Sequence, residues 1–363
     1  MSSNIQIADI ESELKQLWEI NREKKVTKAC LFNLIIFAPD LRRANYLKLV
    51  VQDIIEKFPC RILFIHVEDD SNGNFLHVNV STVTSDMGGT PVACDQITID
   101  ATKSFLERVP YIVIPHLLPD LPIYLLWGQN PVDEKVVLPP LLKYATRLIF
   151  DSECLETLSS FSEGILEKLK KFDFDVMDMN WALSGVWREI FVQIFDCPEK
   201  IQQLNDSQSI KIIFNNYKTD LLEHAEIRAM YLQAWLASRL DWKFQSIHVK
   251  DRDWVIIYTK NGRPITVTLT PHTQKDLSPG SIINIEITSY QNDVCHIARN
   301  QKLSQVLVNI SNAEKCELPF TLPLPDVHRG FAFLKEIFYH KMSNQYRSML
   351  QTFSQITCKN STS

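Results

Sequence analysis

The sequence is short of glycine. Nine occur in 363 residues, against roughly 7% in average usage, and none completes GxGxxG, GxxxxGK[S/T] or GxSxG; HExxH is absent too. Loops that cradle phosphate need glycine so that the backbone can approach the anion. Only Gly88-Gly89 offers a pair, and it reads better as a turn. The eight cysteines (30, 60, 94, 154, 197, 295, 316 and 358) form no CxxC, and the nearest two stand 21 positions apart. That scatter argues against a zinc framework and suits small buried hydrophobes in a reducing compartment. Cys358, close to a polar C-terminal end, is expected to be the most exposed.

Positive charge is also scarce. With 38 Lys+Arg against 43 Asp+Glu, the net charge is -5 and the pI about 6.0, so there is no broad basic field and nucleic acid is not an expected partner. No run approaches the ~18 consecutive apolar residues that span a bilayer. The opening MSSNIQIADIESELK has neither a basic n-region nor an apolar h-region, so the expectation is a cytoplasmic protein with no membrane partner. A composition 45% hydrophobic and 22% charged is that of a soluble globular protein, long enough for two domains.

What is present centres on RVPYIVIPHLLPDLPIYLLWGQNP, residues 108–131. Two short apolar runs, 111–114 and 123–126, fenced by Pro115, Pro119 and Pro122, read as strands buried on both faces. The second ends in Trp127, Gly128, Gln129 and Asn130, at the kind of strand exit where open α/β sheets place ligand chemistry. The plainer reading is that Trp127 covers the core and Gly128 makes the turn.

Ile7, Ile10, Leu14 and Leu17 predict an opening helix, giving an attached segment 1–24. A strand at 30–38, a helix at 41–58 and a strand at 60–67 form a βαβ unit with a right-handed crossover. Strands at 75–83, 97–101 and 146–152, with helices at 133–144 and 154–172, complete an α/β, Rossmann-like domain over 25–175: a mostly parallel sheet flanked by helices. Within 178–196, Leu183, Trp187, Ile190 and Ile194 line one helical stripe and Phe191 and Phe195 an adjacent one, so 176–200 reads as an interdomain helix. Residues 201–358 read as an α+β domain, an antiparallel sheet with helices on one face. Its strands fall at 209–215, 254–259, 265–270, 282–288, 294–299 and 305–310, with an Asn261-Gly262 hairpin. One helix opens at a capping box of Asp220 and Glu223 and continues through Leu222, Ala225, Ala229, Leu232 and Leu236. A closing helix from Asp326 carries Val327, Phe331, Leu334 and Phe338. Residues 359–363 are a polar tail.

Candidate chemistry is sparse. His116 beside Asp120 could be an acid or base with an orienting carboxylate, although a surface loop histidine is commoner. Asp151 is either a ligand-binding carboxylate or an N-cap. Trp181, Trp187 and Arg188 are residue types that dominate interfaces, yet Trp187 also lies on the inward stripe. No residue is assigned to catalysis, to a cofactor or to a metal.

The stretch 108–131, ATRLIFDS at 145–152 and DMNWALSGVWREIF at 178–191, in this order and spacing, resemble OpcA, the glucose-6-phosphate dehydrogenase assembly protein family. The resemblance is clearest over 32–196 and weaker beyond. Arg147 with Asp151, and Trp181 followed by Trp187-Arg188, match positions of the family's pattern. It implies a non-catalytic, cofactor-free protein that binds glucose-6-phosphate dehydrogenase and assembles or activates it, supporting NADPH production in the oxidative pentose phosphate pathway. Trp127, Gln129, Arg147, Asp151, Trp181, Trp187 and Arg188 are then partner-binding or structural candidates. The rival is an enzyme or sensor binding a sugar phosphate or nucleotide at the strand ends near Trp127, Gln129 and Asp151.

Overall fold

The computed structural model describes residues 6–23, 25–69, 73–155, 161–171, 174–219, 224–300, 302–312, 314, 316–325 and 342–358. The chain divides into two compact units, the first built mainly from 1–154 and 168–179, the second mainly from 155–167, 180–328 and 342–363.

In chain order the first part comprises α1 (Ile10–Glu23), β1 (Thr27–Lys28), β2 (Asn33–Ala38), α2 (Leu41–Ile55), β3 (Arg61–Glu68), β4 (Leu76–Met87), β5 (Thr90–Thr102), α3 (Val109–Val113), β6 (Ile123–Trp127), α4 (Leu138–Leu142), β7 (Arg147–Phe150), α5 (Phe161–Lys171) and β8 (Asp175–Asp178). The sheet runs β1-β5-β3-β2-β6-β7-β8, all of these neighbours parallel, and β4 pairs antiparallel with β5. Every residue of β2 is buried, and all of β3 but the last, as continuous apolar runs covered on both faces should be. Leu47, Val50, Val51, Ile54 and Ile55 form the buried face of α2. Strand order reverses between β2 and β6, so the sheet has a topological switch point at their carboxyl ends. Gly88 and Gly89, at φ 66° and 86°, turn the β4–β5 hairpin.

Two expectations in this part are corrected. Residues 111–114 are not strand: they belong to α3 and to a 3-10 turn, Ile114–His116. Pro110 lies in the first turn, where a missing N–H costs nothing, Pro115 ends the run, and Tyr111 is 78% exposed. The helix expected at 133–144 shrinks to α4, because the Glu134 carboxylate accepts the backbone N–H groups of Val136, Val137 and Leu138 at 2.8, 2.9 and 2.6 Å and holds the approach as a turn.

The chain continues through α6 (Met179–Leu183), α7 (Gly185–Ile194), α8 (Pro198–Asn205), β9 (Ser207–Asn215), α9 (Ile227–Arg239), β10 (Lys243–Lys250), β11 (Asp253–Lys260), β12 (Arg263–His272), β13 (Ile282–Ser289), β14 (Val294–Asn300), β15 (Gln305–Ser311), β16 (Phe320–Pro323) and α10 (Asn344–Cys358). The single helix expected over 178–196 is thus two, after β8 has taken Asp178. The break is at Ser184, whose backbone stays in the right-handed helical region at φ -76° and ψ -5° while its hydroxyl turns back to the Trp181 carbonyl at 2.8 Å. The second sheet runs β10-β11-β12-β9-β13-β14-β15-β16. It is antiparallel except for the β9–β12 pair, which is parallel. Asn261 and Gly262, at φ 52° and 79°, make the expected hairpin. Helices α9 and α10 pack through Tyr231 edge-on to Phe353, ring centroids 5.3 Å apart. The Asp220/Glu223 capping box with Leu222, the closing-helix positions Val327, Phe331, Leu334 and Phe338, and residues 359–363 lie outside the described residues.

Candidate functional site

The switch point is where a parallel sheet ordinarily admits a ligand, between the loop after β2 and the exit of β6. Here that space is closed by the chain's own side chains. The Gly128 N–H donates to the Phe37 carbonyl at 2.8 Å, and a Cβ at 128 would come within 2.6 Å of that oxygen and 2.9 Å of Leu47 Cδ1; only glycine permits this approach. Trp127 stacks on Phe37 with centroids 4.2 Å apart and planes 6° from parallel, and is buried. At the N-terminus of α2, Asp40 Oδ1 accepts the Arg43 backbone N–H at 2.7 Å. A carboxylate therefore occupies the position at which helix N-termini bind phosphate.

The Arg43 side chain folds back beneath it. Its Nε donates to the Gly128 carbonyl and its Nη2 to Asp151 Oδ2, each at 3.2 Å, and its guanidinium lies 4.5 Å from the Tyr46 ring centroid. The Tyr46 hydroxyl donates to the same Asp151 oxygen at 3.3 Å, while Asp151 Oδ1 accepts the Glu153 N–H at 3.3 Å. The Arg43 and Asp151 side chains are 6% and 2% exposed.

Of the residues singled out in the sequence, Trp127 and Asp151 meet in this plug, and Gln129 stands half-buried beside it. Arg147 does not join them: it begins β7, whereas Asp151 follows that strand's last residue, and its Nη2 lies 3.5 Å from Asp175 Oδ2. Trp181 and Arg188 form a separate pair, the guanidinium 3.4 Å from the ring centroid, with Arg188 Nη1 donating to the Trp181 carbonyl at 2.8 Å and to Ser184 Oγ at 2.6 Å. Trp187 is buried, and of these three only Arg188 is half-exposed. The His116/Asp120 pairing is overturned. His116 Nδ1 is 2.9 Å from Glu11 Oε1, and Asp120 sits exposed at φ 63° in a turn.

Sequence reasoning missed Arg43, Tyr46 and Asp40, and also the ion pair that docks α1. Arg61 Nε and Nη2 donate to Asp95 Oδ2 at 3.1 and 2.6 Å, Lys28 Nζ lies 3.2 Å from the same oxygen, and the Trp18 indole N–H donates to Asp95 Oδ1. For the ion pair the signal was a charged residue at the start of β3 and another inside β5; Arg43 and Tyr46, on α2, gave none.

Burial decides the thiols. It pushes Cys94 up to about 11, against a backbone hydrogen bond at Cys60 that acts the other way, and Cys295 up to about 12, against the charge of Lys200; Cys60 is fully buried and raised as well. Because the thiolate is the nucleophile, brief iodoacetamide treatment of native protein at neutral pH should label exposed Cys316 and spare Cys60, Cys94 and Cys295. Peptide mass spectrometry before and after denaturation reads this out. Equal native labelling of Cys295 and Cys316 would mean that the second sheet's core is open.

Residues 51–167 match the family model described as the glucose-6-phosphate dehydrogenase subunit N-terminal domain, and 175–325 match the one described as its C-terminal domain. The protein named OxPP cycle protein OpcA from Synechocystis sp. is 27% identical over 208 residues, 57% of this chain and 41% of that one. Its namesake from Synechococcus elongatus is 25% identical over 270 residues, 70% of this chain and 58% of that one. The chain spans about half the length of the curated relatives it matches. Among solved structures, KijD10, a 3-ketoreductase from Actinomadura kijaniata, shares the fold with a TM-score of 0.50 and 12% identity, over 90% of this chain and 95% of that one. With both domain matches in order along most of its length, the chain belongs to the OpcA family, the glucose-6-phosphate dehydrogenase subunit proteins.

Proposed function

We propose that this protein is a non-catalytic assembly factor and allosteric activator of glucose-6-phosphate dehydrogenase, acting in the cytoplasm and supporting NADPH supply through the oxidative pentose phosphate pathway. The observation that carries this reading is the filled switch point, where the Arg43–Asp151 pair and the Asp40 cap occupy the space a nucleotide would need. The domain descriptions and the relatives' names support the partner. An activator must bind the active state of the dehydrogenase preferentially in order to shift its equilibrium.

The test is the initial rate of the cognate dehydrogenase against glucose 6-phosphate at several molar ratios of this protein, alongside a sizing column. The expected outcome is a saturable fall in KM or rise in kcat with co-elution, weakened in Arg188→Ala or Gln129→Ala, both half-exposed positions. Unchanged rates with no complex would overturn the function. Unchanged co-elution in both variants would overturn only the choice of surface.

A further inference from the structure

A polar side chain inside a continuous apolar strand needs a physical reason. Strand β3 reads RILFIHVE and buries everything but its last residue, yet its sixth position is His66, 6% exposed. In register, His66 faces Asp100 of β5, and Asp100 faces His77 of β4. Glu68 lies two residues beyond His66, so all four share one face of the sheet, at the carboxyl ends of parallel strands β3 and β5.

The three inner groups converge. His66 Nδ1 is 3.1 Å from Asp100 Oδ1 and 3.7 Å from Glu68 Oε1, and all three potential ligand atoms lie within 4.8 Å of one another. The other imidazole nitrogen, Nε2, is buried without a hydrogen-bond partner, so the ring is held from the carboxylate side alone. Two buried acids of this unit face guanidinium groups, Asp95 that of Arg61 and Asp151 that of Arg43. Among the described residues Asp100 and Glu68 have no Lys or Arg ion-pair partner, and both lie against the His66 imidazole. Two carboxylates against one histidine leave a net negative site.

We propose that His66, Glu68 and Asp100 bind a divalent transition cation of the zinc class, with His77 as the fourth ligand. Nitrogen and oxygen ligands about 2.0–2.2 Å from such an ion stand a little over ~3 Å apart, close to the observed separations, so small side-chain shifts suffice. A mixed imidazole–carboxylate set suits zinc or cobalt, whereas calcium and magnesium take oxygen ligands. His77 is exposed and stacked on Phe75, centroids 4.7 Å apart, so it can swing onto an ion without disturbing the core.

The experiment titrates the chelator-stripped full chain with Zn²⁺ against a chromogenic chelator, and with Co²⁺ by visible absorption. The expected result is one tight equivalent and the d–d bands of four-coordinate cobalt. Asp100→Asn and His66→Gln should each weaken binding roughly tenfold or more, as loss of a ligand or of its orienting partner does. His77→Ala should weaken it less and alter the cobalt spectrum, and Cys316→Ala should change nothing. Where His66→Gln fails to fold, half-exposed Asp100 and Glu68, as Asp100→Asn and Glu68→Gln, carry the test. Absence of stoichiometric binding, or binding unchanged in Asp100→Asn and Glu68→Gln, would overturn the site and leave His66 as a core histidine held by two carboxylates.

Discussion

Asp151→Ala should lose about 3–5 kcal/mol of stability, because it leaves the Arg43 guanidinium buried without its carboxylate. Arg43 and Asp151 are both nearly inaccessible, so water cannot readily replace the lost partner, and the Tyr46 hydroxyl loses its acceptor as well. Against a typical total of about 5–15 kcal/mol, this is a loss that equilibrium urea unfolding would show plainly. The double variant Arg43→Met/Asp151→Leu should recover most of it, since replacing a buried pair by apolar groups of similar volume is often neutral or stabilising. A single Asp151→Ala variant within about 0.5 kcal/mol of wild type, the range of an ordinary surface change, would mean that the carboxylate is solvated and the switch point open. That outcome would revive the nucleotide or sugar-phosphate reading. Activation of the dehydrogenase per folded molecule should be unchanged in the double variant, because the Arg43 and Asp151 side chains are nearly inaccessible.

The scarcity of glycine was the most informative compositional feature, and the structure shows why. The β2–α2 connection is only Pro39-Asp40, with the helix capped by its own Asp40, so this turn is built without a glycine loop. Gly128 stands where a Cβ would meet the Phe37 carbonyl oxygen at 2.6 Å. Strands β2 and β3 were legible because both faces are apolar, and β11 and β12 because a wet face alternates with a packed one. Residues 111–114 were misread because a short apolar run carries no period of its own, and the decisive cue, Pro110 at a helix start, lay just outside it. Edge strand β10 was missed because only Phe244 among its eight residues is buried. The plug was invisible for a different reason: Arg43 and Asp151 are 108 positions apart, and only the order of strands in the sheet brings them together. The parallel β9–β12 pair was hidden by the same long-range order.

Fold alone does not decide function here. The likeness to a ketoreductase extends over most of both chains, yet activities are grafted onto a shared fold by local sites. Gly128 and Leu47 close the switch point by packing, and Arg43 with Asp151 close it by charge. Reopening it would require changes on β2, α2, β6 and the β7 exit together.

Asp95→Asn should cost about 3 kcal/mol at neutral pH by removing the buried carboxylate that Arg61 faces and leaving it only the exposed Glu11 carboxylate 3.6 Å away, and that cost should shrink on acidification. Burial alone would push the Asp95 carboxyl up, but the Arg61 hydrogen bonds and charge, the Trp18 N–H and the Lys28 ammonium together hold it below the usual carboxylate range. A carboxyl whose pKa is depressed by folding adds stability that is complete above its unfolded value, about 3.9, and is lost as pH falls through the folded value, because the unfolded chain takes up the proton first. Wild-type stability should therefore drop more steeply than that of Asp95→Asn below about pH 4, and the two curves should draw together. Urea midpoints at a series of pH values down to the acid limit of folding would test this; curves that stay parallel would show that the Asp95 pKa is the same in folded and unfolded protein. Fluorescence of Trp18 gives a local reading of the same event. Trp18, Lys28 and Arg61 all meet on Asp95, and Glu11 of α1 pairs with His116, whose carbonyl accepts from Arg61, so protonating one carboxylate loosens the helix that closes this edge of the sheet. In the variant that local change should already be present at neutral pH, ahead of global unfolding.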